Sequence, residues 1–215
     1  KLRLPEVKKW RDNMQALKSS TWDIRTMVKI SVLGVISFIL MYFKFPVAWL
    51  APPFLKMDIS DLPSLLGAFT LGPIAGVLIQ LLKNVLNLVF EGTTTAAVGE
   101  TANFISGGIF AFIAGYVYFR EKNFKNAILG MAIGIILMTV IICIANYYFI
   151  FPLYAKLLGW PMEDIIKMGS AVTSKVVDLK TLIIFTVVPF NLAKGILTAL
   201  ITTIIYKKVS PILHK

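Results

Sequence analysis

One histidine and one cysteine occur in the entire chain, and that scarcity removes several kinds of chemistry at once. His214 stands next to the C-terminal end and reads as a solvated tail residue, not a ligand. A Ser–His–Asp nucleophile set needs a histidine inside the fold, and none is there. Cys143 lies within an apolar run, so neither a disulfide framework nor a thiolate metal site can be built. No His, Cys and acid cluster has metal-ligand spacing. The phosphate-loop pattern G-x-x-x-x-G-K-[ST] is also missing, which excludes nucleotide hydrolysis of that type. Charge is scarce too, at 15% of residues.

What fills the chain instead is apolar: 57% of the 215 residues are hydrophobic and the mean hydropathy is +0.79. That lies far from a soluble domain and predicts an all-α integral membrane protein. The length suits one membrane domain over residues 26–208, preceded by a basic segment 1–25 and followed by a short tail, 209–215. Trp10, Met14, Leu17 and Ile24 could make the apolar side of an interfacial helix in the basic segment, or that segment is a frayed tail. No secretory signal is visible.

Six spans are expected: 26–43, a half-length segment 61–70, 73–90, 100–119, 127–151 (stopped by Pro152) and 181–206. Between the first two, residues 45–61 (FPVAWLAPPFLKMDISD) hold three prolines among aromatic and aliphatic side chains. Pro46, Pro52 and Pro53 bar a helix, while Trp49, Phe54 and Leu55 make the segment too apolar to hang in water. It reads as a long capping loop. Asp58 and Asp61 within it read as a helix N-cap and loop anchors. The connection 152–180 is amphipathic around residues 162–168, which predicts a short surface helix.

The net charge of +11 would suggest nucleic acid in a soluble protein, but its distribution says otherwise. With both termini cytoplasmic, the inner segments carry fourteen basic residues against four acids, and the outer ones six against seven. This asymmetry orients the chain with both ends inside.

Polar residues recur on single faces of the spans. Gly76, Gln80, Lys83 and Asn87 are three or four apart, as are Glu100, Asn103 and Gly107, and Asn191, Lys194, Thr198 and Thr202. Asn146 lies toward the outer end of the fifth span. A lysine at helix centre costs about 3 kcal/mol on insertion scales, so Lys83 and Lys194 imply an inward-facing cavity or internal pairing. For Lys83 the alternatives are an ion pair with Glu100 or snorkelling outward. Gln80 and Asn84 fit helix–helix bridging. Ser31, Gly34 and Ser37 narrow the first span for close helix approach, by a partner or within the chain; Gly130 and Gly134 suit internal packing.

The stretches MYFKFP, APPFLKMDISDLPSLLGAFTLGPIAG, LLKNVLN, GETANF, NYYFIFPLY and PFNLAKG, in that order, resemble the riboflavin-specific substrate-capture subunit (S component) of energy-coupling factor vitamin transporters. The similarity covers residues 26–208. It implies a six-helix protein of a prokaryotic plasma membrane that binds riboflavin at the outer face, beneath the loop between helices one and two. It also implies association with a transmembrane coupling subunit and two cytoplasmic ATPases. By motif, Asn146, Asn191 and Lys194 would hydrogen-bond the flavin's polar edge or ribityl chain. Phe54, Leu55, Lys56 and Met57 would close the pocket against the ring, with Lys83, Asn87, Glu100 and Asn103 as secondary contacts or supports. The family's coupling surface is a small-x-x-x-small pattern on helix one; Ser31, Gly34 and Ser37 occupy that region here, and Val35 breaks the spacing.

The residues read on their own agree with such a ligand: apolar walls with a few placed donors and acceptors suit a flat heterocycle. The outer face lacks an arginine cluster, so phosphorylated flavins are expected to bind less well. Three other readings stand beside this one. They are an S component for thiamine or a pterin, an intramembrane lipid-acting enzyme using Lys194 or Glu100, and a self-sufficient secondary transporter, for which no internal repeat is evident.

Overall fold

The computed structural model describes residues 23–213, with side chains to Tyr206. The expected interfacial helix falls almost wholly outside that range, as does His214. Helix α1 (Ile24–Tyr42) is followed by a minimal antiparallel ladder, β1 (Phe45–Pro46) against β2 (Lys56–Met57), with Phe45 opposite Met57. The short helix α2 (Leu62–Leu71) turns at Gly72 into α3 (Pro73–Phe90). Gly72 has φ +111°, a left-handed conformation that side chains resist, and Pro73 then starts the next helix without needing its missing N–H.

Helix α4 (Val98–Arg120) leads into α5 (Phe124–Ala145), whose N-cap Asn123 accepts a hydrogen bond from the Asn126 N–H at 2.8 Å. A π-helical turn (Asn146–Ile150) joins α5 to α6 (Phe151–Leu158), so the fifth span runs past Pro152 and does not stop there. The reason is local: a π turn widens the hydrogen-bond register just ahead of the proline, where the ring would otherwise meet an α-helical carbonyl. The last span repeats the device. Helix α8 (Leu179–Leu182) passes through a π turn (Ile183–Val187) into α9 (Val188–Leu213), with Pro189 directly after the turn. Between these spans the expected surface helix appears as α7 (Met162–Ser170), pinned by the fully buried Ile165.

Among the described residues five helical stretches are long and apolar enough to cross a membrane, with α2 as a shorter apolar helix, so the chain is a multi-pass membrane protein. Their outward faces carry exposed Ile136, Ile144, Leu200 and Ile204, as a bilayer requires. In α3 the division is plain: Leu81, Val85 and Leu88 are exposed, whereas Gln80, Lys83, Asn84 and Asn87 are buried. Polar stripes therefore face inward.

Gly34 and Ser37 of α1 are buried, and a Cβ on Gly34 would come within 2.4 Å of Leu82 Cδ2. These two residues are used for packing within the chain; of the three small residues, only Ser31 is exposed. Gly34→Val is expected to wedge α1 from α3 and lower stability by about 1–3 kcal/mol, read as an earlier thermal transition in detergent.

One end of the bundle is closed by an aromatic layer. The Tyr118 and Tyr206 hydroxyls are 3.0 Å apart, and Phe69 packs on both rings. Tyr118 lies about 18 Å along α4 from Ser106, which lines the opposite, open half.

Candidate functional site

The open half holds a cavity beneath the 45–61 loop, of about 150 Å³. Five spans contribute to its walls: Met41 comes from α1, and the polar stripes of the other four meet where the helices converge under the loop. Asn146 comes from the π turn after α5, and Asn191 and Lys194 from α9, one turn beyond Pro189. Both asparagines spend their amide N–H on their own helix: Asn146 donates to the Ile142 carbonyl at 2.7 Å and Asn191 to the Val187 carbonyl at 2.8 Å. Each is thereby held in one orientation, with its amide oxygen uncommitted among the hydrogen bonds of the described residues. Asn103 adds a buried amide oxygen with no hydrogen-bond partner among the described residues.

The loop seals the outer side. Phe54 packs edge-on against Phe151 and Tyr154, with ring centroids 5.9 and 6.1 Å away. Ala51 and Met57 are buried against Phe190 of α9. Phe54, Leu55 and Lys56 border the cavity, whereas Met57 turns away from it into that apolar contact. A second tether is ionic: Lys44 Nζ lies 2.6 Å from Glu91 Oε2, and Asn87 donates to the same oxygen. Glu100 accepts from Thr93 and Thr95 at 3.0 and 3.1 Å, which fixes the 91–99 loop over the mouth.

Burial pushes the Glu91 carboxyl up, but the hydrogen bonds from Lys44 and Asn87 and the Lys44 charge outweigh it, so the group titrates below the ordinary glutamate range. A carboxyl with a depressed folded-state pKa contributes stability above its unfolded value and loses it as pH falls through the folded one. The tether should therefore hold at neutral pH and release only in acid. Ligand dissociation is expected to accelerate in the native chain only at pH values below the ordinary glutamate range, and to lose that acid limb in Glu91→Gln, as stopped-flow release measures.

Lys83 corrects the sequence expectation. It is fully buried but does not reach the cavity; nor does it pair with Glu100 or snorkel. Its ammonium donates to Asp61 Oδ1 at 2.7 Å and to Ser60 Oγ at 3.0 Å. Asp61 also accepts from Gln80 at 2.7 Å and lies 3.5 Å from the Lys194 Nζ. Asp58 in turn accepts from Lys194 at 3.2 Å. Two acids of the loop and two lysines of α3 and α9 thus form one buried, charge-balanced cluster, which ties the loop's end to both helices.

Asp61 sits at the N-cap position of α2, but its side chain makes no cap hydrogen bond. Its carboxylate belongs to the cluster instead. Asp58 and Asp61 were the partners that sequence reasoning missed, although a signal existed. Two acids in an apolar loop and two lysines in apolar spans are each costly alone, and mutual pairing is the cheapest resolution.

The site residues expected from the sequence are therefore brought together with two exceptions. Asn146, Asn191, Lys194, Phe54, Leu55, Lys56, Asn87, Glu100 and Asn103 border the cavity, and Met57 and Lys83 lie behind its wall. Among the described residues no group of three or more His, Cys, Asp or Glu could hold a metal ion.

A family model described as "ECF transporter, substrate-specific component" matches residues 25–206. A Staphylococcus aureus protein named riboflavin transporter RibU is 35% identical over 191 residues, covering 89% of this chain and 93% of that protein. Bacillus subtilis riboflavin transporter FmnP is 32% identical over 189 residues, covering 87% and 93%. A solved structure described as "Structure and mechanism of the S component of a bacterial ECF transporter" has 33% identity and a TM-score of 0.69, covering 89% of this chain and 98% of that one.

Proposed function

Because the chain belongs to the family of ECF transporter substrate-specific components, which are transport subunits and not enzymes, we propose that it captures riboflavin at the outer face of a prokaryotic plasma membrane. In this reading it has six spans with both termini cytoplasmic. It hands the vitamin on by associating with a transmembrane coupling subunit and two ATPases. The relatives named as riboflavin transporters support the choice of vitamin.

The observation that carries the reading is the convergence of Asn146, Asn191 and Lys194 under an aromatic loop, in a cavity at one end of a bundle whose opposite end is packed by the Tyr118–Tyr206 layer. Such a site binds and holds; it does not conduct. An isoalloxazine ring offers apolar faces to Phe54, Leu55 and Ile142, and its carbonyl and ring nitrogens to the amides and the ammonium. The cavity is about 150 Å³, below the roughly 300 Å³ at which pockets for ligands of this size begin. Seating the ring therefore requires the 45–61 loop to lift, with Phe54 leaving its aromatic contacts.

The chain purified in detergent is expected to carry a flavin absorbance spectrum, or to quench the fluorescence of added riboflavin at one-to-one stoichiometry. Binding of thiamine or a pterin, with no response to riboflavin, would reassign the ligand and overturn this reading. Phe54→Ala is expected to weaken binding about tenfold or more by accelerating dissociation, since it removes an aromatic face that the loop offers to the bound ring.

A further inference from the structure

We propose that Asp58 sets the charge selectivity of the cavity. It holds the Lys194 ammonium in a neutral pair, so that the site accepts an uncharged ligand and discriminates against anions. This rests on the flavin-capture reading and adds a specificity-determining residue to it.

An ammonium has three N–H donors. Asp58 Oδ2 lies 3.2 Å and Asp61 Oδ2 3.5 Å from Lys194 Nζ, which takes two of the three directions and leaves one toward the cavity. The aim of Asp58 is itself fixed. Its other oxygen accepts from the Ser60 N–H at 2.8 Å and from the Ser60 hydroxyl, which turns Oδ2 toward α9. Lys83 lies 2.7 Å from Asp61, so the four charges cancel within the cluster. The Lys44 charge at the rim is likewise matched by Glu91. Of the remaining charged residues lining the cavity, Lys56 is exposed on the loop and Glu100 is held by Thr93 and Thr95.

A buried, unmatched ammonium would attract a phosphate or carboxylate over a distance of about 10 Å, because the effective dielectric there is about 20 and not 80. With Asp58 in place that attraction is cancelled, and Lys194 acts as a single hydrogen-bond donor. Asp58 is thus a positioning residue that decides which charge type the cavity tolerates. It does so from the wall, wherever in the cavity the ligand's charge lies.

The test titrates the full-length chain in detergent with riboflavin and with riboflavin 5′-phosphate, at low and at high salt, following flavin fluorescence. Asp58→Asn retains the side-chain oxygen that Ser60 donates to but removes the negative charge. It is expected to shift the affinity ratio toward the phosphate ester by about fivefold or more at low salt, and by less at high salt. Asp58→Glu, which restores the charge, is expected to keep the ratio near that of the native chain. A ratio unmoved by Asp58→Asn in a chain that binds riboflavin overturns this inference and leaves the flavin-capture reading standing. A native chain that binds the phosphate ester as tightly as riboflavin overturns it without any variant. A native chain that binds neither flavin overturns both.

Discussion

Lys194→Met is expected to weaken riboflavin binding by about ten- to hundredfold, the largest loss anticipated for any single change in the cavity wall. A hydrogen bond from a charged donor contributes about 1.5–3 kcal/mol net, which converts to that range of affinity. The effect has two sources that must be separated. Lys194 faces the cavity, but it also neutralises Asp58 at 3.2 Å, so its removal leaves a buried carboxylate without its cation. The double variant Lys194→Met, Asp58→Asn removes that second contribution. Binding that stays weak in the double, with thermal stability restored, identifies Lys194 as a ligand contact. Recovery of affinity in the double would make its role purely structural.

Lys83→Met is expected to act in the opposite way, lowering stability by about 3 kcal/mol with only a secondary effect on affinity. The side chain is fully buried, its ammonium lies 2.7 Å from Asp61, and the cavity wall does not include it. Removing it leaves Asp61 in an apolar interior with Gln80 and the more distant Lys194 as its remaining partners. Breaking one side of a buried pair typically costs about 3–5 kcal/mol, and the lower bound applies because Lys194 still compensates in part. Asp61→Asn in the same chain is expected to recover much of the loss. Thermal unfolding in detergent, followed in parallel with a riboflavin titration, measures both quantities. A large fall in affinity with no change in stability would place Lys83 in the ligand shell after all.

The contrast between the two lysines shows where reading the chain reached its limit. Both stand on inward stripes at helical spacing, and both carry the same insertion penalty, so sequence alone cannot rank them. Helix rotation and the path of one loop do. Lys194 reaches the cavity because α9 continues from the π turn at Ile183–Val187, which rotates the following residues. Lys83 meets the loop's acids because α2 is a half-length helix that brings Asp61 down against α3. Pro152 is the same kind of case: it looked like a stop, yet the π turn ahead of it absorbs the clash and the helix continues.

Composition and periodicity determined that this is a multi-pass helical membrane protein with polar faces turned inward and a proline-stiffened cap, since a bilayer admits only helices or closed barrels and apolar runs of this length select helices. The family was legible from short motifs, and so were the amides that border the cavity. What only the tertiary structure decided is which buried charges share a partner. Ion pairing is set by ångström distances between residues far apart in the chain, such as Asp58 and Lys194, and no local pattern records those distances.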